Sequence, residues 1–309
     1  MGRYLIRRIL LLIPSMLVVF TITFFLMHAT PGGPWDRTGR PLPPIVIENL
    51  NAKYGLDKPL WQQYTTFLWG VVTRFDLGPS YSRYGQDVRT IIGGFLPVSL
   101  KLGVVSMLLA LVAGLSLGVL SALRHNSWLD YLSMFLAIVG VSTPSYVVAT
   151  VMIIAFAIHF RWLPTGGWEG IFSNRIIIPA VALALRPMAL LARYTRSSVL
   201  DVLRHDYVRT ARAKGLPERL VLVRHALRNA LIPIATVAGI SFTHVVTGSF
   251  FVESVTRVPG IGRYFVSSVS ARDYPVIMGT TLLYAAIVML MNLTVDVMYV
   301  FLDPRVRYT

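Results

Sequence analysis

The sequence contains no cysteine among its 309 residues, which excludes disulfides, thiolate metal sites and a cysteine nucleophile. Charge is also scarce. Asp, Glu, Lys and Arg make up 14% of the chain, where a soluble domain carries about a quarter. The shortage is concentrated in blocks long enough to cross a bilayer. With 55% hydrophobic residues and a mean hydropathy of +0.63, the chain reads as a membrane protein. Acidic residues are scarcer than basic ones, 14 against 29, leaving a net charge of +15. In a soluble protein that excess points to nucleic acid. Here the hydrophobic blocks leave no room for a separate basic domain, so the excess reads as cationic loops retained in the cytoplasm, with no nucleic-acid partner.

Lysine is nearly missing. Lys53, Lys58, Lys101 and Lys214 are the only four, and none precedes Ser or Thr, so the phosphate-binding lysine of a Walker A loop is absent. The six histidines, His28, His125, His159, His205, His225 and His244, show no paired metal spacing. The chain therefore reads as a non-enzyme with no bound metal. A secondary transporter or channel would show acidic or histidine relays within its spans, or an inverted repeat. The sequence shows one intramembrane acid and no detectable repeat.

Six segments are long and apolar enough to span: residues 9–28, 102–123, 131–160, 176–192, 229–252 and 274–302. The fold class expected is an all-α polytopic bundle of six transmembrane helices. Pro14, Pro144, Pro179, Pro187 and Pro233 fall inside these spans, where kinks are tolerated. Arg3, Arg7 and Arg8 place the N-terminus in the cytoplasm, and alternation puts Arg124, the 193–230 loop and the C-terminal tail on the same side. That side collects fifteen Arg and Lys against five acids, Asp130, Asp201, Asp206, Glu218 and Asp303. The apolar run of the first span exceeds the ~7–15 residues of a signal-peptide core, so it reads as retained.

Residues 1–95 form an expected N-terminal part, one span plus a large external segment, and 96–309 a five-span core. In the external segment Trp61, Tyr64, Phe67, Leu68, Val71, Val72 and Phe75 recur at helical spacing. That stripe fits either a membrane-surface helix or one packed on the bundle. In the cytoplasmic loop, Asp206 is a candidate helix N-cap and Gly215 its C-terminal stop. Pro217 and Glu218 suit the first turn of a second helix running to Asn229. Thr210, Ala211 and Ala213 are small enough for another surface to approach the backbone, although a solvated basic loop near anionic lipid fits as well.

The run Asp206-Tyr207-Val208-Arg209-Thr210-Ala211-Arg212-Ala213-Lys214-Gly215-Leu216, followed by Arg224-His225-Ala226-Leu227-Arg228-Asn229-Ala230-Leu231-Ile232-Pro233, resembles the coupling loop of ABC importer permeases. The broad family shows Glu-Ala-Ala, three residues, then Gly; here Gly215 matches and the triplet is Arg209-Thr210-Ala211. That departure is typical of the oligopeptide, dipeptide and nickel branch. The same resemblance extends to Tyr54-Gly55-Leu56-Asp57-Lys58-Pro59-Leu60, Asp76-Leu77-Gly78, Leu163-Pro164-Thr165-Gly166-Gly167 and Ala271-Arg272-Asp273-Tyr274-Pro275-Val276. It continues through Asn292-Leu293-Thr294-Val295-Asp296 and Leu302-Asp303-Pro304-Arg305. The large external segment points to the B-type subunit.

The resemblance implies a type I importer permease bundle in a prokaryotic inner membrane, moving peptides, or alternatively nickel complexes or another small solute. It implies a homologous C-type permease, two cytoplasmic ATPase subunits that bind ATP and Mg, an external binding protein, and lipid around the bundle. This chain itself would bind no cofactor, and residues Asp206 to Leu216 would dock on an ATPase, leaving Arg193, Arg196 and Arg204 as topology anchors. Arg186 and Asp296, the charges inside spans, sit at similar expected depth. A structural ion pair, snorkelling and a place on the translocation pathway all fit them.

Overall fold

A computed structural model describes residues 2–35, 42–247 and 249–302; the side chains at 2–7, 225–226, 228–229, 231–233, 246–247, 249 and 298–302 lie outside the description. Expectations for Arg3, Arg7, Asp303 and Arg305 fall there. The helices, in chain order, are α1 (Gly2–Ala29), α2 (Pro44–Tyr54), α3 (Leu60–Arg74), α4 (Val88–Leu123), α5 (Trp128–Ser142) and α6 (Ser145–Met152), which runs on as a π-helical Ile153–His159. Then follow α7 (Ile177–Leu203), α8 (Asp206–Ala213), α9 (Glu218–Leu220) with a π-helical Val221–Leu227, α10 (Arg228–Thr247), α11 (Ser249–Val255), α12 (Ile261–Ala271) and α13 (Tyr274–Leu302).

Among the described residues, four helices (α1, α4, α7 and α13) are long and apolar enough to cross a bilayer, and five are if the bent pair α5 and α6 counts as one span. The sixth expected span falls on α10 and α11, where the apolar stretch is Ile234–Val245. Residues 131–160 differ from expectation. Instead of one tilted helix, α5 stops at Thr143 and α6 leaves at 106°. The cause is local: Pro144 has no N–H to continue the ladder and pushes Thr143 into an extended conformation, φ −90° and ψ 125°.

The chain divides into two compact units. The first comprises Leu5–Pro97 and Gly260–Ile287; the second is built mainly of Val98–Pro259 and the chain from Val288 onward. The first therefore takes in Gly260–Ile287 as well as the N-terminal part read from sequence. Inside it, Phe20, Phe24 and Met27 of α1 pack with Tyr64, Phe67, Leu68 and Val71 of α3 and with Met278 and Leu282 of α13. The aromatic stripe read from sequence thus splits. Those four α3 residues are bundle contacts, whereas Trp61, Val72 and Phe75 stay exposed.

Three motifs distant in sequence meet in this unit. The buried Asp273 carboxylate accepts from Ser80 Oγ at 2.5 Å, the Tyr81 and Ser82 amides at 3.0 Å, and Ser82 Oγ at 2.6 Å. The Tyr81 ring lies 4.7 Å from that of Tyr54. Residues Tyr54–Leu60, 76–81 and 271–276 therefore serve one knot, whose buried charge is satisfied by four donors.

In the second unit α7 is the central helix, contacting α5, α6, α10 and α11. Of its most apolar window, 61% is buried, against 11% for α1. Glycine lets α4 reach it closely. A Cβ added to Gly114 would lie 2.7 Å from Met188 O, and one on Gly118 would lie 2.5 Å from Thr195 Cβ and 2.6 Å from Ala192 O. Gly114 and Gly118 are one helical turn apart, the small-xxx-small arrangement that drives helix association where lipid removes the hydrophobic force. Gly118→Ala should therefore lower the thermal midpoint of the detergent-purified protein by the equivalent of about 1–3 kcal/mol of overpacking. Gly93→Ala, where the new Cβ meets nothing within 4 Å, should leave the midpoint unchanged or raise it.

Candidate functional site

Helix α7 and the short helix after it hold three neighbouring features. Toward its C-terminal end, Arg196 donates from Nε to Asp130 Oδ1 at 2.6 Å and from Nη2 to Asp130 Oδ2 at 2.8 Å. Asp130 is buried, and also accepts from Ser121 Oγ and from the Asn126 amide at 3.0 Å. His125 Nδ1 lies 3.3 Å from Asp130 Oδ2 and 3.1 Å from Arg196 Nη2. This bidentate pair fastens the turn between α4 and α5 to α7. Arg196 is thus no mere topology anchor, because it neutralises a buried carboxylate.

Just beyond α7 comes α8. His205 occupies the N-cap position and makes no side-chain cap bond, so Asp206 is the first helical residue and not the cap. Its charge still lies at the positive end of the helix dipole. The other end follows the expected pattern. The Gly215 amide donates to Arg212 O at 2.9 Å and the Leu216 amide to Ala211 O at 3.4 Å, with Gly215 at φ +77°. This is a Schellman stop, in which only glycine enters the left-handed region without cost.

Arg212 then reaches across the turn to Glu218, Nη2 to Oε1 at 2.5 Å and Nε to Oε2 at 3.1 Å. The Arg212 hydrogen bond holds the Glu218 carboxyl below its usual range, keeping the pair charged at neutral pH. Both side chains are exposed, so the pair sets the direction of the turn more than its stability. The helix after Pro217 starts where expected, but it passes through its π-helical stretch directly into α10 rather than ending at Asn229.

The α8 surface is two-sided. Val208 and Ala211 are buried and, with Leu216, pack on Val199 and Val202 of α7 and on Val221. Ala211 is small because it faces inward, contrary to its expected role on an approachable surface. Asp206, Tyr207, Arg209, Thr210, Arg212, Ala213, Lys214 and Gly215 face outward. A Cβ on Gly215 would meet nothing within 4 Å, so the space above it is open.

Near the middle of α7, Arg186 lines a cavity of about 540 Å³ together with Ser145, Tyr194, Ser241, His244 and apolar neighbours. Arg186 makes no ion pair with Asp296 among the described residues. Asp296 is half-buried on α13, beside Val295, which fills the space over Gly239 of α10.

Residues 114–308 match the sequence model of the family described as binding-protein-dependent transport system inner membrane component, and residues 1–86 match its N-terminal companion. The chain belongs to this permease family. It is therefore a multi-pass membrane component of a larger transport system and not an enzyme. The dipeptide transport system permease protein DppB of Bacillus subtilis is 44% identical over 99% of this chain and 98% of that one. The oligopeptide transport system permease protein OppB of Salmonella typhimurium is 42% identical over the full length of both. The inward-facing MetNI methionine ABC transporter superposes with a TM-score of 0.57 at 18% identity, covering 69% of this chain and 96% of that one, a likeness of fold.

Two features of this permease escaped sequence reading. The Gly114-Leu-Ser-Leu-Gly118 spacing was visible but lay inside a span that hydropathy alone explained. The Asp130–Arg196 pair joins residues 66 positions apart and carries no local signal. Removing Arg196 strands the buried Asp130 carboxylate, a loss of about 3–5 kcal/mol. Arg196→Ala should lower the thermal midpoint sharply, and adding Asp130→Asn should recover part of the loss. Additive losses in the double variant would show that the pair is not coupled.

Proposed function

We propose that this permease is one half of the translocation pathway of an ATP-driven peptide importer. A homologous C-type permease supplies the other half, an external binding protein delivers the peptide, and two cytoplasmic ATPase subunits bind ATP and Mg. Both termini lie in the cytoplasm, on the side where Arg and Lys accumulate. The full-length likeness to dipeptide and oligopeptide permeases supports peptide as the substrate class. The exposed Trp61, Trp69, Val72 and Phe75 of α3 suit contact with lipid at the membrane interface.

The observation that carries the coupling role is the two-sidedness of α8. Val208 and Ala211 bind it to α7, so a force on its outer face is delivered to the central helix of the unit. Asp206, Tyr207, Arg209, Thr210, Arg212, Ala213, Lys214 and Gly215 form the ATPase-docking face, with Val208, Ala211 and Leu216 as its anchor. Arg186 belongs to the pathway rather than to a structural pair with Asp296, since it opens into a cavity.

Two substitutions at Gly215 separate conformation from docking. Leucine is strained at φ +77° and also bulky, whereas asparagine tolerates that φ and only adds bulk. In proteoliposomes holding the complete transporter, both should leave membrane insertion intact and reduce peptide moved per ATP hydrolysed severalfold. Normal coupling in both variants would remove the docking role. Uncoupling by leucine alone would reduce Gly215 to a conformational requirement.

A further inference from the structure

The Arg186 cavity has a chemistry beyond its position on a pathway. Of its twelve lining residues Arg186 alone carries a permanent charge, and no carboxylate faces it; the polar remainder is Ser145, Tyr194, Ser241 and His244. Among the described residues Arg186 has no hydrogen-bond or ion-pair partner. It is exposed to that space, and an arginine within a spanning helix that opens to a water-filled cavity marks a binding or transport path.

A second source of positive potential converges on the same space. The break at Thr143-Pro144 starts α6 anew at Ser145, which lines the cavity. In α6 the amides of Val147 and Val148 donate to Pro144 O, leaving those of Ser145 and Tyr146 ahead of the first helical bond. A helix N-terminus attracts anions. Arginine, the first turn of α6 and hydroxyl donors together make a site for an anionic group with planar acceptors.

The walls indicate which anion. Leu183, Pro187, Leu190, Val237, Ile240, Val245 and Phe250 offer apolar contact without fixed hydrogen-bond demands. Such walls accept many side chains, so recognition falls on a group that all linear peptides share. Resting on the peptide-import reading above, we propose that Arg186 and the N-terminus of α6 receive the C-terminal carboxylate of the transported peptide. The permease thereby adds its own selection for free-acid peptides to that of the binding protein.

The test uses the complete transporter with its binding protein in proteoliposomes, supplied with a peptide and its C-terminal amide at saturating concentration. The binding protein is the same throughout, so a change in the acid-to-amide transport ratio reports the permease. Arg186→Gln should cut that ratio by about tenfold, the worth of a charge-assisted hydrogen bond, while ATP hydrolysis and subunit co-purification persist. Equal loss for acid and amide, or no change in either, overturns the proposal. If the glutamine variant does not assemble, Arg186→Lys keeps the charge but not the fork; a ratio reduced severalfold supports the site and an unchanged ratio overturns it. A wild-type transporter that moves neither peptide form defeats the peptide reading itself, and this inference falls with it.

Discussion

The close approach of α4 to α7 through Gly114 and Gly118 is the contact on which the second unit depends. In lipid, apolar surface gains nothing by leaving one hydrocarbon environment for another, so helices associate where backbones can touch. Gly140 of α5 repeats the device against Ala189 of the same helix. Once α7 is held this way, its other properties follow. Arg196 can be placed against a buried carboxylate, Arg186 can be presented to a cavity, and α8 can be hung from its end on Val199 and Val202.

Arg186 and Arg196 show how one helix treats two like charges differently. Arg196 meets a carboxylate that is itself held by Ser121 and Asn126, so neither charge is left uncompensated. Arg186 has no such partner within the described chain and faces a space large enough for a small ligand. The first arrangement fixes a turn and the second leaves positive potential available. Helix α7 thus carries a fixed charge pair and an exposed, unpartnered charge along one rod.

The spans, the short helix at 206–213 and the family were legible because each has a local signature. Hydropathy marked the helices, and Gly215 with Pro217 marked the two ends of the turn that follows α8. What the sequence left open depended on distance or on which way a helix faces. Tyr64 and Trp61 look equivalent in an amphipathic stripe, yet only Tyr64 meets α1. Ala211 and Ala213 look equally approachable, yet Ala211 is buried against α7. The uncharged run at 131–160 hid a break because hydropathy does not register the effect of Pro144 on Thr143. The motifs at 76–81 and 271–276 were each weak alone. Asp273 joins them through two hydrogen bonds from Ser80 and Tyr81 and two more from the adjoining Ser82, which gives a physical reason for their occurring together.

The same break that hid from hydropathy is what gives the cavity its character. An unbroken helix through 143–146 would hold every amide in its own ladder and present only side chains to the Arg186 site. Stopping at Thr143 and restarting at Ser145 frees backbone donors inside a span, a cost tolerated only where protein or a water-filled space receives them. The Pro144 break and the Arg186 charge are each unfavourable in hydrocarbon taken singly. Placed at one cavity, they would share one remedy, the anionic group proposed above.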